Sequence, residues 1–245
     1  MQTTSERAEI EVGGGRMGAY VACPDAAGRW PAVLLFMEIF GINAHIRSVC
    51  DRVAAEGYVV MAPDLFHRTG PGVELGYDEA GLARGIELMS ATTASEVISD
   101  VSAALSVVKA RPDVGGRGVG AMGFCFGGHV AYLSACELPI AATASFYGGG
   151  IAVGAPGNEQ PPTVGRSDKI KGRMLCLFGE NDAYIPLDQV KKIETALEDA
   201  GIRHEAKVYP GVGHGFFCDA RADFDKASAD DAWKKLTRLF KDELG

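Results

Sequence analysis

Residues 119–128 read Val119-Gly120-Ala121-Met122-Gly123-Phe124-Cys125-Phe126-Gly127-Gly128. The stretch has the form Gly-x-Cys-x-Gly and joins an apolar run to a segment of helical spacing. A strand that turns so abruptly into a helix forces its central residue into strained dihedrals, and small residues two positions to either side relieve the crowding. The turn projects the central side chain above the carboxyl end of a sheet, at a helix N-terminus. There the helix dipole favours a thiolate, and the amide of Phe126 can point at a developing oxyanion. Glycines at such a turn also serve plain close packing with Cys125 inert, so the partners of Cys125 must decide.

Outward from this turn, apolar β-branched runs alternate with helix-period segments, the pattern of a mostly parallel α/β sheet covered on both faces. Residues 9–12 and 17–22 predict an antiparallel pair. Strands are expected at 32–37, 58–61, 118–123, 141–146, 174–178 and 205–209. Helices are expected at 44–56, capped by Asn43, and at 95–110, 126–136, 187–200 and about 224–244. Residues 64–93 form a looser stretch with a short helix near 79–89, a natural pocket wall, and 151–171 read as loop. With no repeat or linker, residues 1–245 are expected to form one domain.

Composition narrows the function. The 245 residues are 47% hydrophobic and 23% charged, ordinary for a globular chain with a large core. A net charge of −8 without a Lys/Arg stripe argues against nucleic acid as partner. The start lacks the basic and apolar run of a secretory signal, and no apolar stretch approaches the ~18–20 residues that span a bilayer. A cytoplasmic protein off the membrane is expected, as a monomer or small homo-oligomer. The six cysteines are widely spaced and show neither a disulfide framework nor metal-ligand spacing, so no metal is expected.

Two further loops complete the pattern around Cys125. Asp182 follows the strand at 174–178 in Gly179-Glu180-Asn181-Asp182, and His214 follows the strand at 205–209 in Gly211-Val212-Gly213-His214-Gly215-Phe216. Either alone reads as a turn acid or a surface histidine. The chain order nucleophile, acid, histidine, each on a loop after a strand, is that of an α/β-hydrolase triad, so the α/β-hydrolase fold is expected. His45, His129 and His204 read as structural or surface residues. His67 is near enough to the pocket to face it, although a surface role is the plainer reading.

With these residues in view, the sequence resembles the dienelactone hydrolase (carboxymethylenebutenolidase) family over nearly its whole length. The resemblance is carried by Met37-Glu38-Ile39-Phe40-Gly41, by Gly57-Tyr58 through Ala62-Pro63-Asp64-Leu65-Phe66, by the cysteine turn, and by Gly213-His214-Gly215-Phe216. It implies a hydrolase of small esters or lactones, with Cys125 as nucleophile, His214 as base and Asp182 as its orienting acid. It also implies that Glu38 lies beside Cys125 and controls its ionisation, with substrate displacing the glutamate so that it takes the thiol proton. The amides of Ile39 and Phe126 would form the oxyanion hole, and no metal or organic cofactor is implied. The family's His-Ser-Phe-x-Arg pattern here reads His214-Gly215-Phe216-Phe217-Cys218, and the helix before Ser95 offers only Arg84 for the second arginine. Arg68 and Tyr147 are therefore the candidates to line a substrate pocket. Two other classes stay open: a thiol-redox protein pairing Cys125 with Cys218, and a binding module that kept the fold without turnover.

Overall fold

The computed structural model describes residues Met1–Gly245. A hairpin of β1 (Thr3–Val12) and β2 (Gly15–Pro24) forms one edge of an eight-stranded sheet. The other strands are β3 (Trp30–Phe36), β4 (Val59–Pro63), β5 (Val114–Phe124), β6 (Ala142–Phe146), β7 (Arg173–Gly179) and β8 (His204–Tyr209). The spatial order is β1-β2-β4-β3-β5-β6-β7-β8. β2 runs antiparallel to β4, and every pair from β4 to β8 is parallel. All six parallel strands therefore end at the same edge, where ligands of open α/β sheets collect.

Helices α1 (Ala44–Ala55), α2 (Glu79–Ser90), α3 (Ala94–Ala110), α4 (Phe126–Glu137), α5 (Leu187–Asp199) and α6 (Lys226–Leu244) connect and cover the strands. β4 is buried at every residue, which is why it reads as an unbroken apolar run rather than an alternating one. β6 is equally buried but carries Thr143 and Ser145, and the Ser145 hydroxyl donates to the Gly128 carbonyl at 2.8 Å. α4 is buried at all but its last residue, so it lacks the polar stripe of a surface helix. Asn43 caps α1 by accepting from the amide of Ile46 at 3.2 Å. Thr93 and Glu96 form a reciprocal capping box at the start of α3.

The structure extends two expectations. β5 begins at Val114, four residues before the expected strand, because Gly115, Gly116 and Gly118 hide its start by their poor strand propensity. The Gly118-x-Gly120-x-x-Gly123 spacing thus lies inside the strand and does not open a helix as a dinucleotide fingerprint does. The stretch 151–171 holds two short 3₁₀ segments, Pro156–Asn158 and Thr163–Lys169. No helix is long and apolar enough to cross a membrane.

Candidate active site

Cys125 links β5 to α4 with φ 55° and ψ −116°, a left-handed conformation that costs a non-glycine residue on the order of 1–3 kcal/mol. The surroundings enforce it. A Cβ on Gly123 would run into the carbonyl of Gly127, and one on Gly127 into the carbonyl of Phe36 on the neighbouring strand. Only glycine at both places lets α4 start this close to the sheet, and Cys125 is lifted to the strand ends as the sequence predicts.

Asp182 and His214 meet there from two other loops. The Nδ1–H of His214 donates to Asp182 Oδ2 at 2.7 Å, and both residues are buried. Asp182 Oδ1 accepts from the amides of Tyr184 at 2.9 Å and Ile185 at 3.2 Å, which fixes the carboxylate. Burial works against a charged His214. Attraction to an ionised Cys125 and the bond to Asp182 more than offset it and push the imidazole up to about 10. The nitrogen left for Cys125 is Nε2.

Cys125 and His214 share one cavity of about 420 Å³. Ile39 and Phe126 also line it. The amide of Phe126 opens α4 and so has no partner within the helix, and that of Ile39 donates to no protein acceptor.

Glu38 follows β3 and is wholly buried. Its Oε1 accepts from Arg221 at 3.0 Å and its Oε2 from the Tyr77 hydroxyl at 3.2 Å. Tyr77 in turn accepts from Asn43 Nδ2 at 3.1 Å and from the Cys218 thiol at 3.3 Å. Burial opposes the charge of Arg221, but Glu38 and Cys125 hold its guanidinium above the usual arginine range. Burial beside Glu38 pushes the Cys218 thiol up to about 11, which makes it a poor partner for redox exchange. One nitrogen of His45, the Cys218 sulfur and an Asp219 oxygen lie within 4.8 Å of one another. They form a cluster of three side chains of metal-ligand type, but Tyr77 already engages the thiol.

Two expected pocket residues lie elsewhere. Arg68 does not line the cavity: it turns to α3 and binds the buried Asp100 through both terminal nitrogens, with Nη2 at 2.8 Å from Oδ1. A carboxylate buried in the helix layer needs a counter-charge, and His67 adds a third bond to it at 3.1 Å. Tyr147 is wholly buried beneath the site, its ring edge-on to His214 at 5.1 Å between centroids, and it does not open to the cavity either. Arg84 is exposed and pairs with Glu87.

The cation near Cys125 is instead Arg221, which sequence reasoning missed. It lies three residues beyond the family position now occupied by Cys218, and it is the only Lys or Arg between β8 and α6. Gly215 explains the replacement of the family serine. Its φ is +88°, and a Cβ there would stand 2.6 Å from Arg221 Nε. Tyr184 was also missed; its ring lies 5.1 Å from that of His214. His129 is buried, 2.7 Å from Thr163 Oγ1, and its ring reaches the cavity wall.

A parallel sheet with a strained cysteine turn after β5, an acid after β7 and a histidine after β8 defines an α/β-hydrolase fold. Within that class the chain belongs to the dienelactone hydrolase family, whose profile matches residues 17–244. It is 44% identical over 229 residues to a Synechocystis sp. protein provisionally named carboxymethylenebutenolidase, a match spanning 94% of this chain and 93% of that one. It is 29% identical over 225 residues to carboxymethylenebutenolidase of Rhodococcus opacus, with 90% and 84% covered. The crystal structure of a provisionally assigned dienelactone hydrolase from Klebsiella pneumoniae subsp. pneumoniae superposes with a TM-score of 0.88 at 31% identity, covering 98% of this chain and 99% of that one.

Proposed function

We propose that the chain hydrolyses small carboxylic esters or lactones through a thioester on Cys125. The observation that carries this reading is the 2.7 Å bond to buried Asp182 from His214, which lines the same cavity as the strained Cys125. Names of the relatives point to lactones, and the site chemistry suits acyl transfer generally.

Cys125 Sγ attacks the carbonyl carbon, and the electron pair moved onto oxygen is held by the amides of Ile39 and Phe126. Collapse breaks the bond to the alcohol oxygen, which takes the proton on His214 Nε2 and leaves. Water then gives a proton to His214 while its oxygen attacks the thioester carbon. The carbon–sulfur bond breaks, the acid departs, and the thiolate–imidazolium pair is restored. Asp182 holds the imidazole in the tautomer that each step needs. The net reaction is ester plus water to acid plus alcohol, and the protein groups suffice for it.

Glu38 is assigned control of the thiol. Its buried negative charge opposes a second one on Cys125, while Arg221 cancels part of that opposition. Glu38→Gln should therefore let Cys125 react with iodoacetamide at lower pH; an unchanged pH profile removes the role.

The reading is tested by hydrolysis of aryl esters and enol lactones by the wild type, Cys125→Ala and His214→Ala. Each variant should lose about a thousandfold or more in kcat. Quenched wild-type reactions should carry the acyl group on Cys125 by mass spectrometry. Variants that keep wild-type turnover refute the assignment.

A further inference from the structure

Eight large apolar side chains of the protein are exposed, and four of them, Leu82, Ile86, Val153 and Tyr184, line the one cavity that holds Cys125 and His214. Leu82, Ile86 and the half-buried Met89 stand at i, i+4 and i+7 on α2, one stripe turned into the cavity. Exposed apolar side chains scattered singly need no explanation, but a cluster rimming a concave site marks what the site receives. The cavity, at about 420 Å³, is the size of small-molecule sites.

The electrostatics point the same way. Arg221 is the only Lys, Arg, Asp or Glu in the lining, and it is paired with Glu38 at 3.0 Å. An anionic substrate at Arg221 would share a cation whose charge the buried Glu38 carboxylate already neutralises, which weakens its hold. A neutral substrate leaves the pair intact.

We propose that the natural substrate is a neutral ester bearing an extended apolar group, which lies along Leu82, Ile86 and Met89 of α2 beside Val153 and Tyr184. This rests on the ester-hydrolase reading above and names its substrate class. α2 is then the specificity element, while the loops carrying Cys125, Asp182 and His214 supply the chemistry.

Two series of neutral esters test it, one lengthened in the acyl chain and one in the alcohol. In one series kcat/KM should rise about fourfold per methylene, the fold-change for burying one CH₂. Leu82→Asn and Ile86→Asn should flatten that slope, whereas Val107→Asn, an equally exposed apolar residue outside the cavity, should keep it. An ester of matched length ending in a carboxylate should be the poorer substrate. Calorimetric titration of Cys125→Ala with methyl propyl, methyl pentyl and methyl heptyl ketone reads the same preference without turnover, again about fourfold per methylene. Flat slopes in both ester series and in the ketone titration overturn the proposal, as do slopes that survive both α2 substitutions. If ketone affinity rises with length but Cys125→Ala still hydrolyses esters, the catalytic assignment fails and the apolar site stands.

Discussion

At the scale of single residues, the molecule turns on substitutions that answer one another. Gly215 stands where the family pattern has serine, and Arg221 occupies the space a side chain there would need. Gly215→Ala should cost about 1–2 kcal/mol for the left-handed backbone alone. In Arg221→Met the same change should cost less, since the guanidinium is gone. Urea denaturation of the four proteins in this double-mutant cycle measures the coupling, and strict additivity would sever the two residues. Arg221 itself was not legible in the sequence. Its partner Glu38 lies 183 residues away, and nothing local to either residue encodes the pairing. The placement of Cys125, Asp182 and His214 at one end of the sheet was legible because each sits on a local turn after a strand, in a fixed order along the chain.

At the scale of elements, α2 and α3 divide their labour. α2 offers its stripe to the cavity, while α3 is locked by its capping box and by Asp100, which holds Arg68 and His67 from the loop after β4. Arg68→Met should destabilise the fold by about 2 kcal/mol, less than the loss of a partner from a fully buried pair because His67 remains. The KM for esters should be unchanged, and thermal melting with steady-state kinetics checks both halves. A raised KM with unaltered stability would return Arg68 to the pocket. The sequence showed α2 as a short helix in a loose stretch, and its role as a wall followed from that looseness. The ion pairs that fasten the stretch were hidden, because an arginine after a strand looks the same whether it faces a ligand or a helix.

For the whole molecule, the parallel strands and their helices were readable from periodicity, since burial on both faces leaves continuous apolar runs. What the sheet order brings together was less so: β3 and β5 are neighbours although β4 lies between them in the chain. That crossing seats Glu38 and Ile39 next to the cysteine turn. Stability should carry the mark of the assembled site. His214 rises from 6.5 to about 10 on folding, against burial and through Cys125 and Asp182. A group raised in this way contributes stability that is complete below pH 6.5 and is lost as pH climbs through about 10. Asp182→Asn should shrink that alkaline loss, measured by urea denaturation at several pH values between these limits. An identical pH dependence in both proteins would exclude the linkage.

The turn at Cys125 has a consequence for how such a protein can change. Its unusual dihedrals belong to the backbone and to the bare flanks of Gly123 and Gly127, and owe nothing to sulfur. The turn is a socket, and the atom plugged into it is a separate choice. Oxygen in place of sulfur would inherit the same perch, histidine and amides, so lineages built on this scaffold can trade one reactive chemistry for another in a single substitution while the architecture stands still.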